Sequence, residues 1–296
     1  MKDLGRLITA MVTPFAADGS VDYEQAKRLA LALLDSGSDG LVVVGTTGES
    51  PTLVRSEELR LFREIKQAVG EKGSVIAGTG SNSTAEAIEA TQAAEETGVD
   101  ACLLVVPYYN KPTQDNLYNH FKAIAENTGL PCILYNVPSR TVANLSADTV
   151  IRLSKIDNIV GVKEASGNLV EIARIIENTD DDFMLWSGND TDTLPVMALG
   201  GYGVISVASN IVGSTLRKMI DSFVAGDIAA AAAVHRRLQP LVHALFVIAN
   251  PMPIKYAMNI SGFEVGKPRP PLDEPDEKTA ALIRQTLKDY QIDLPV

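Results

Sequence analysis

Residues 158–168 read NIVGVKEASGN, and Lys163 interrupts the end of an otherwise apolar, strand-like run. Lysine is almost never fully buried without a partner. An amine held out of water loses basicity, because burial disfavours the ammonium. In its neutral form it attacks a ketone and forms a Schiff base. The iminium acidifies the carbon beside it, and loss of a proton there gives an enamine, a carbon nucleophile. That step needs a proton carrier, and a phenol polarised by neighbouring hydroxyls can serve. Tyr135 ends a second apolar run, CILYN at 132–136. Thr46 and Tyr109 supply candidate relay hydroxyls. The segment Gly45-Thr46-Thr47-Gly48 offers hydroxyls and backbone N–H groups to a carboxylate. Arg140 offers a bidentate fork to another.

Taken singly, each group has a plainer reading. A strand-end lysine commonly snorkels to solvent. Tyr108-Tyr109 suits an interface patch, GTTG suits a turn, and Arg140 suits an ordinary surface. What sets them apart is a shared location, and that depends on the elements that carry them. Apolar runs of strand length occur at 7–12, 74–78, 158–163, 183–188 and 203–208. Three more follow helix-like segments closed by glycine, in SGSDGLVVVG (36–45), ETGVDACLLVVP (96–107) and NTGLPCILYNVP (127–138). The glycines suit the left-handed position just past a helix. From Leu7 to Gly203 the eight runs recur on average every 28 residues, enough for a strand plus a crossover helix. The first run leads into VTPFAADG, without the GxGxxG of an open dinucleotide-binding sheet. A (β/α)8 TIM barrel is therefore expected, with function at the C-terminal ends of its strands.

Those ends carry the groups above. Side chains alternate along a strand, so Gly161 and Lys163 share one face and Val162 and Glu164 the other. If the strands at 132–136 and 158–163 start in register, Lys163 and Tyr135 project together into the barrel mouth and Glu164 points away. Gly161 then leaves room for a substrate or for the lysine stem. Between the strands, 56–69 places Leu59, Phe62, Ile65 and Val69 on one stripe. Ser83 with Glu86 reads as a capping box, and Asn168 with Glu171 as a looser one. The expected division is a catalytic barrel over 1–225 and a C-terminal helical region over 226–296, packing on the barrel or on another subunit. A proline-rich connector, PRPPLDEPDE, lies at 268–277, and no catalytic constellation is visible in the C-terminal region.

Bulk properties narrow the function. A net charge of −11 disfavours nucleic acid and anionic membrane as partners. No run approaches the roughly 18 apolar residues of a membrane span. The N-terminus lacks the apolar stretch of a signal peptide, and a cytoplasmic protein is expected. Cys102 and Cys132 both fall in strand-like runs and read as free core thiols. His120, His235 and His243 are scattered without metal-ligand spacing.

The chain resembles the dihydrodipicolinate synthase family of class I Schiff-base lyases. The motifs are TAMVTPF (9–15), GTTGES (45–50), VPYYNKPTQ (106–114), YNVPSRT (135–141), GVKEASG (161–167) and GGYGVISVASN (200–210). Together, in order and at this spacing, they cover nearly the whole chain and are highly specific. The resemblance implies a barrel with a C-terminal helical region, assembled as a homotetramer of two tight dimers. It implies condensation of pyruvate with L-aspartate 4-semialdehyde in lysine and diaminopimelate biosynthesis, with no metal or organic cofactor. Lys163 matches the imine-forming lysine and Tyr135 the general acid/base. Thr46 and Tyr109 match its relay, Tyr109 reaching in from the neighbouring subunit. Thr46, Thr47 and backbone near Ile205 match the pyruvate-carboxylate contacts, Gly188 a further substrate contact, and Arg140 the residue that orients the semialdehyde's carboxylate. Ser50, Asn82, Glu86 and Tyr108 match an allosteric lysine pocket. Arg55 and Glu58 stand where lysine-sensitive bacterial members carry histidines. Arg55 would set a cation against a cationic effector, so weak or absent lysine inhibition is expected.

Two rivals remain at this stage. One is a sister lyase, an N-acetylneuraminate lyase or a 2-keto-3-deoxy sugar-acid aldolase, with the same lysine and tyrosine chemistry. Arg140 within YNVPSRT and the second threonine of GTTGE favour the synthase. The other is a barrel that binds a keto acid without turnover, against which the intact set of Lys163, Tyr135, Thr46 and Tyr109 speaks.

Overall fold

The computed structural model describes residues 3–294. Eight parallel strands form a closed barrel: β1 (Leu7–Ala10), β2 (Gly40–Val43), β3 (Ser74–Gly78), β4 (Ala101–Val105), β5 (Cys132–Asn136), β6 (Ile159–Glu164), β7 (Met184–Ser187) and β8 (Gly203–Ser206). β1 pairs with both β2 and β8, which closes the ring. All eight lie within the runs read from sequence or end one residue beyond. Apolar residues crowd these strands because helices cover their outer faces while side chains fill the interior.

The covering helices are α1 (Tyr23–Asp35), α2 (Arg55–Val69), α3 (Thr84–Glu95), α4 (Gln114–Ala125), the short α5 (Pro138–Thr141), α6 (Ala147–Leu153), α7 (Leu169–Asn178), α8 (Thr193–Ala198) and α9 (Ser209–Val224). Three more follow: α10 (Ile228–Phe246), α11 (Met252–Ile260) and α12 (Glu277–Leu287). Among the described residues no helix is long and apolar enough to cross a membrane. Cys102 and Cys132 face each other across β4 and β5 as buried free thiols, with their Sγ atoms 3.5 Å apart.

Several local expectations are modified. On α2, Leu61, Phe62, Ile65 and Val69 are buried, whereas Leu59 is only half-buried. Gly37 and Gly98 take positive φ past their helices, but Gly129 does not. It lies instead against Glu95, whose carboxylate accepts its backbone N–H. Neither capping box closes. The Ser83 hydroxyl accepts from the Glu86 N–H, but the Glu86 carboxylate accepts from Ser81. Asn168 accepts from the N–H groups of Val170 and Glu171, and the Glu171 carboxylate turns away to the N–H of Ala147.

The space at Gly161 is used differently from the sequence expectation. A Cβ there would lie 2.2 Å from the Met184 carbonyl oxygen and 2.8 Å from the Trp186 ring. Trp186, fully buried, reaches across to donate its indole N–H to Gly5 O at 2.9 Å. The missing side chain makes room for this interior packing, not for the lysine stem. Overpacking a filled core costs about 1–3 kcal/mol. The Gly161→Ala variant should therefore lose stability by about that amount or more, read as an earlier denaturant midpoint at unchanged slope.

Candidate active site

Lys163 and Tyr135 are Cα partners across β5 and β6. The alignment depends on a one-residue shift in the ladder. Cys132 pairs with Ile159, but Ile133 pairs with Gly161. A slip of one residue sends every side chain to the opposite face. Without this irregularity Tyr135 would stand opposite Val162. With it, the Lys163 Nζ lies 4.3 Å from the centroid of the Tyr135 ring. Glu164 points to the other face, where it accepts from the Asn136 amide at 3.0 Å and the Ser166 N–H at 2.7 Å. Asn136, another polar strand-end residue, thus braces the outside of the barrel.

Both groups are buried, and their acidities follow. Desolvation pulls the Lys163 ammonium down to about 8 from its usual 10.5; Asp190 opposes the shift and Arg140 adds to it. Desolvation also raises the Tyr135 phenol above its ordinary value, opposed by Arg140 and by a hydrogen bond from Thr46. Gly188 stands against the lysine: a Cβ there would come within 2.6 Å of Ala165 Cβ and 3.2 Å of Lys163 Cγ. Ile205 is buried on β8. Thr47 is buried, and its hydroxyl accepts from the Asn250 side chain at 2.9 Å. Arg140, at the end of α5, donates to the Asn250 carbonyl at 3.5 Å.

Tyr109 stays apart. It is 87% exposed, with φ of +74°, on the loop after β4. A non-glycine residue at positive φ is uncommon and strained for a bulky side chain. The single chain does not bring this phenol to Tyr135.

Sequence reasoning missed four contributors. Asp190, in a short 3-10 turn after β7, is buried, bonds the Ser206 hydroxyl and accepts from the N–H groups of Val207 and Ala208 at 3.0 and 3.1 Å. Asn250 and Lys255 come from the C-terminal region that read as chemically silent. Lys255 pairs with the fourth, Glu49, at 2.9 Å beneath the threonine loop. A signal for Lys255 did exist: it interrupts an apolar helix, MPIKYAMNI, as Lys163 interrupts an apolar strand. Asp190 in SGND and Asn250 in ANP carried no comparable anomaly.

The dihydrodipicolinate synthetase family model matches residues 3–290. The chain belongs to that family. A 4-hydroxy-tetrahydrodipicolinate synthase of Dehalococcoides mccartyi is 69% identical over 296 residues, all of both chains. One from Moorella thermoacetica is 54% identical over 95% of this chain and 98% of its own. Among solved structures, a dihydrodipicolinate synthase from Bacillus anthracis superposes with a TM-score of 0.96 at 45% identity, covering 98% of this chain and 100% of its own. Another, from Cyanidioschyzon merolae with lysine bound, gives 0.95 at 49% identity over 97% and 98% of the two chains.

In this family member a cavity of about 370 Å³ runs from Thr46 and Arg140 to Ser50, Arg55, Glu58 and Tyr108. Glu86 also lines it. Asn82 lies close by, its amide donating to the Tyr108 carbonyl at 3.2 Å. Arg55 is not an isolated cation here, because it donates to Glu58 at 2.7 Å. Burial raises the Glu58 carboxyl, an effect Arg55 opposes. The repulsion expected of Arg55 toward a cationic effector is therefore locally compensated.

The depressed lysine has a readable pH signature. In the native state the ammonium is penalised, so its stability cost is full below pH 8 and fades as pH rises from about 8 toward the unfolded value of 10.5. Reactivity follows the free amine. The rate of borohydride-trapped imine formation with a small keto acid should rise about tenfold per pH unit below 8 and flatten above it. Arg140→Leu, which removes a charge that depresses the amine, should move that bend to higher pH.

Proposed function

We propose that the protein is a 4-hydroxy-tetrahydrodipicolinate synthase, a carbon–carbon bond-forming lyase that joins pyruvate to L-aspartate 4-semialdehyde. The observation that carries the chemistry is the buried Lys163 amine, poised near neutrality and 4.3 Å from the Tyr135 ring. Full-length likeness to proteins of that name supports the substrate choice.

The free amine adds to the pyruvate ketone, and loss of water leaves a protonated imine. Tyr135, with Thr46 as its relay partner, carries protons to and from the departing oxygen and the methyl carbon. Thr46 and Thr47 with nearby backbone N–H groups take the pyruvate carboxylate, together with backbone at Ile205, and Gly188 keeps the space beside the lysine stem. The enamine then attacks the aldehyde carbon of the semialdehyde, whose carboxylate Arg140 orients. The amino group brought in by the semialdehyde then attacks the imine carbon and expels the Lys163 amine, which closes the ring of the product and frees the enzyme. Tyr109 completes the relay from a neighbouring subunit in a dimer of dimers. That assembly accords with an exposed Tyr109, of no use to its own chain, and with the exposed apolar side chains Leu169 and Val170 at the start of α7 and Leu199 just past α8.

Pyruvate with borohydride should add a reduced adduct to the Lys163 peptide in the wild type, with none in Lys163→Ala. Tyr135→Phe should cut turnover by about 10²–10⁴-fold, the usual worth of a general acid/base. In coupled assays aspartate semialdehyde should be consumed far faster than N-acetylneuraminate or 2-keto-3-deoxygluconate is cleaved. An unmodified Lys163 peptide, or faster sugar-acid cleavage, would displace this reading.

A second reading concerns regulation. The side cavity sets two carboxylates, Glu58 and Glu86, against two guanidiniums, Arg55 and Arg140, with Arg55 held by Glu58, and so carries no net charge that would repel a cationic amino acid. We expect millimolar L-lysine to lower the initial rate and Glu58→Ala to weaken that response. A rate indifferent to lysine would restore the expectation drawn from Arg55 alone.

A further inference from the structure

The threonine loop Gly45–Gly48 is bracketed by two residues in an unusual conformation. Val44 and Glu49 both have φ of +59°, although neither is glycine. For a β-branched residue this is a genuine outlier. Such backbone persists only where the surroundings over-determine it. The surroundings are specific. The Thr13 hydroxyl donates to Gly48 O at 2.6 Å. One oxygen of the buried Glu49 carboxylate accepts from Lys255 Nζ at 2.9 Å, and the other from the Arg269 N–H at 2.8 Å.

Lys255 itself is fully buried on α11, in the helical region after the barrel. Besides Glu49, its Nζ donates to Thr13 O at 3.0 Å and Lys267 O at 3.1 Å, and it lies 4.2 Å from the Phe15 ring centroid. One ammonium thereby ties the loop after β1, the loop after β2 and the chain beyond α11. From the same region, Asn250 holds the Thr47 hydroxyl. A buried ion pair gives little net stability compared with a well-packed apolar pair, and its best-attested use is to fix a register.

We infer that the Lys255–Glu49 pair is a positioning device for the substrate-carboxylate loop, through which the C-terminal helical region sets the affinity of the barrel for its keto acid. Neither residue touches the reacting atoms. Both act through Thr46, Thr47 and the backbone N–H groups between them. Removing the pair releases the strained loop and loosens the hold on the carboxylate, while the Lys163–Tyr135 couple on β5 and β6 stays intact.

The inference rests on Lys163 being the imine-forming residue, and the test separates the two. Full-length wild type, Glu49→Gln, the double variant Glu49→Gln/Lys255→Met and a control, Lys66→Met, are titrated with pyruvate under borohydride, with adduct measured by mass. Lys66, in the last turn of α2, pairs with Asp100 at 2.8 Å where β4 begins, at the end of the barrel away from the strand C-termini, so the control reports a lost ion pair away from the loop. The double variant leaves no unpaired buried charge and guards against a single variant that fails to fold. In both loop variants the half-saturating pyruvate should rise about tenfold or more, while trapping at saturating pyruvate stays within about threefold. Lys66→Met should lower the melting temperature and leave half-saturation unchanged. Wild-type half-saturation in a folded double variant overturns the inference, as does an equal rise in the control. Absence of any wild-type adduct overturns the functional reading and this inference with it.

Discussion

The site depends on withholding water from one amine without giving it a salt bridge. Direct contact with a carboxylate favours the charged, unreactive form of a buried amine. Asp190 avoids this. Its oxygens are engaged by the Ser206 hydroxyl and the N–H groups of Val207 and Ala208, so its charge reaches Lys163 only through space. The opposing field of Arg140 pushes the other way. Desolvation, reinforced by Arg140, outweighs Asp190 and leaves a nucleophile available near neutrality. The barrel makes this affordable: Trp186 and the strand residues below the lysine fill the interior and exclude solvent from that side.

The second requirement is geometric. The proposed chemistry needs a phenol and an amine on one face of adjacent strands, and a carboxylate cradle nearby. The first comes from a ladder irregularity between β5 and β6. The second comes from a loop that leaves β2 through a left-handed valine and returns through a left-handed glutamate. Both are local departures from regular structure on an otherwise regular barrel. Bulges and strained residues concentrate at functional sites because there the backbone must aim side chains, not merely pack them.

The barrel was legible because its signal is repetitive: eight apolar runs at near-even spacing leave few alternatives. Lys163 was legible because a charged residue in such a run violates the pattern. The pairing of Lys163 with Tyr135 was reached from sequence, but on the assumption of aligned strand starts. The structure attains it through the shift at Cys132 and Ile133, which no apolar pattern encodes. Gly161 was singled out for the right strand and the wrong neighbour, since a sequence cannot say that Trp186, 25 residues away, claims the vacancy. Asp190 and Asn250 were missed for a related reason. A polar residue in a turn looks solvated until tertiary structure buries it.

The burial of Lys255 against Glu49 also insulates the pair from its medium. Mobile ions screen charges they can surround, and this pair is sealed beneath the loop. Arg55–Glu58 is open to solvent on its arginine side and has no such shelter. Rising ionic strength should therefore weaken the Arg55–Glu58 pair at the side cavity while leaving the Lys255–Glu49 pair in place, so that a saline medium acts on one ion pair and spares the other.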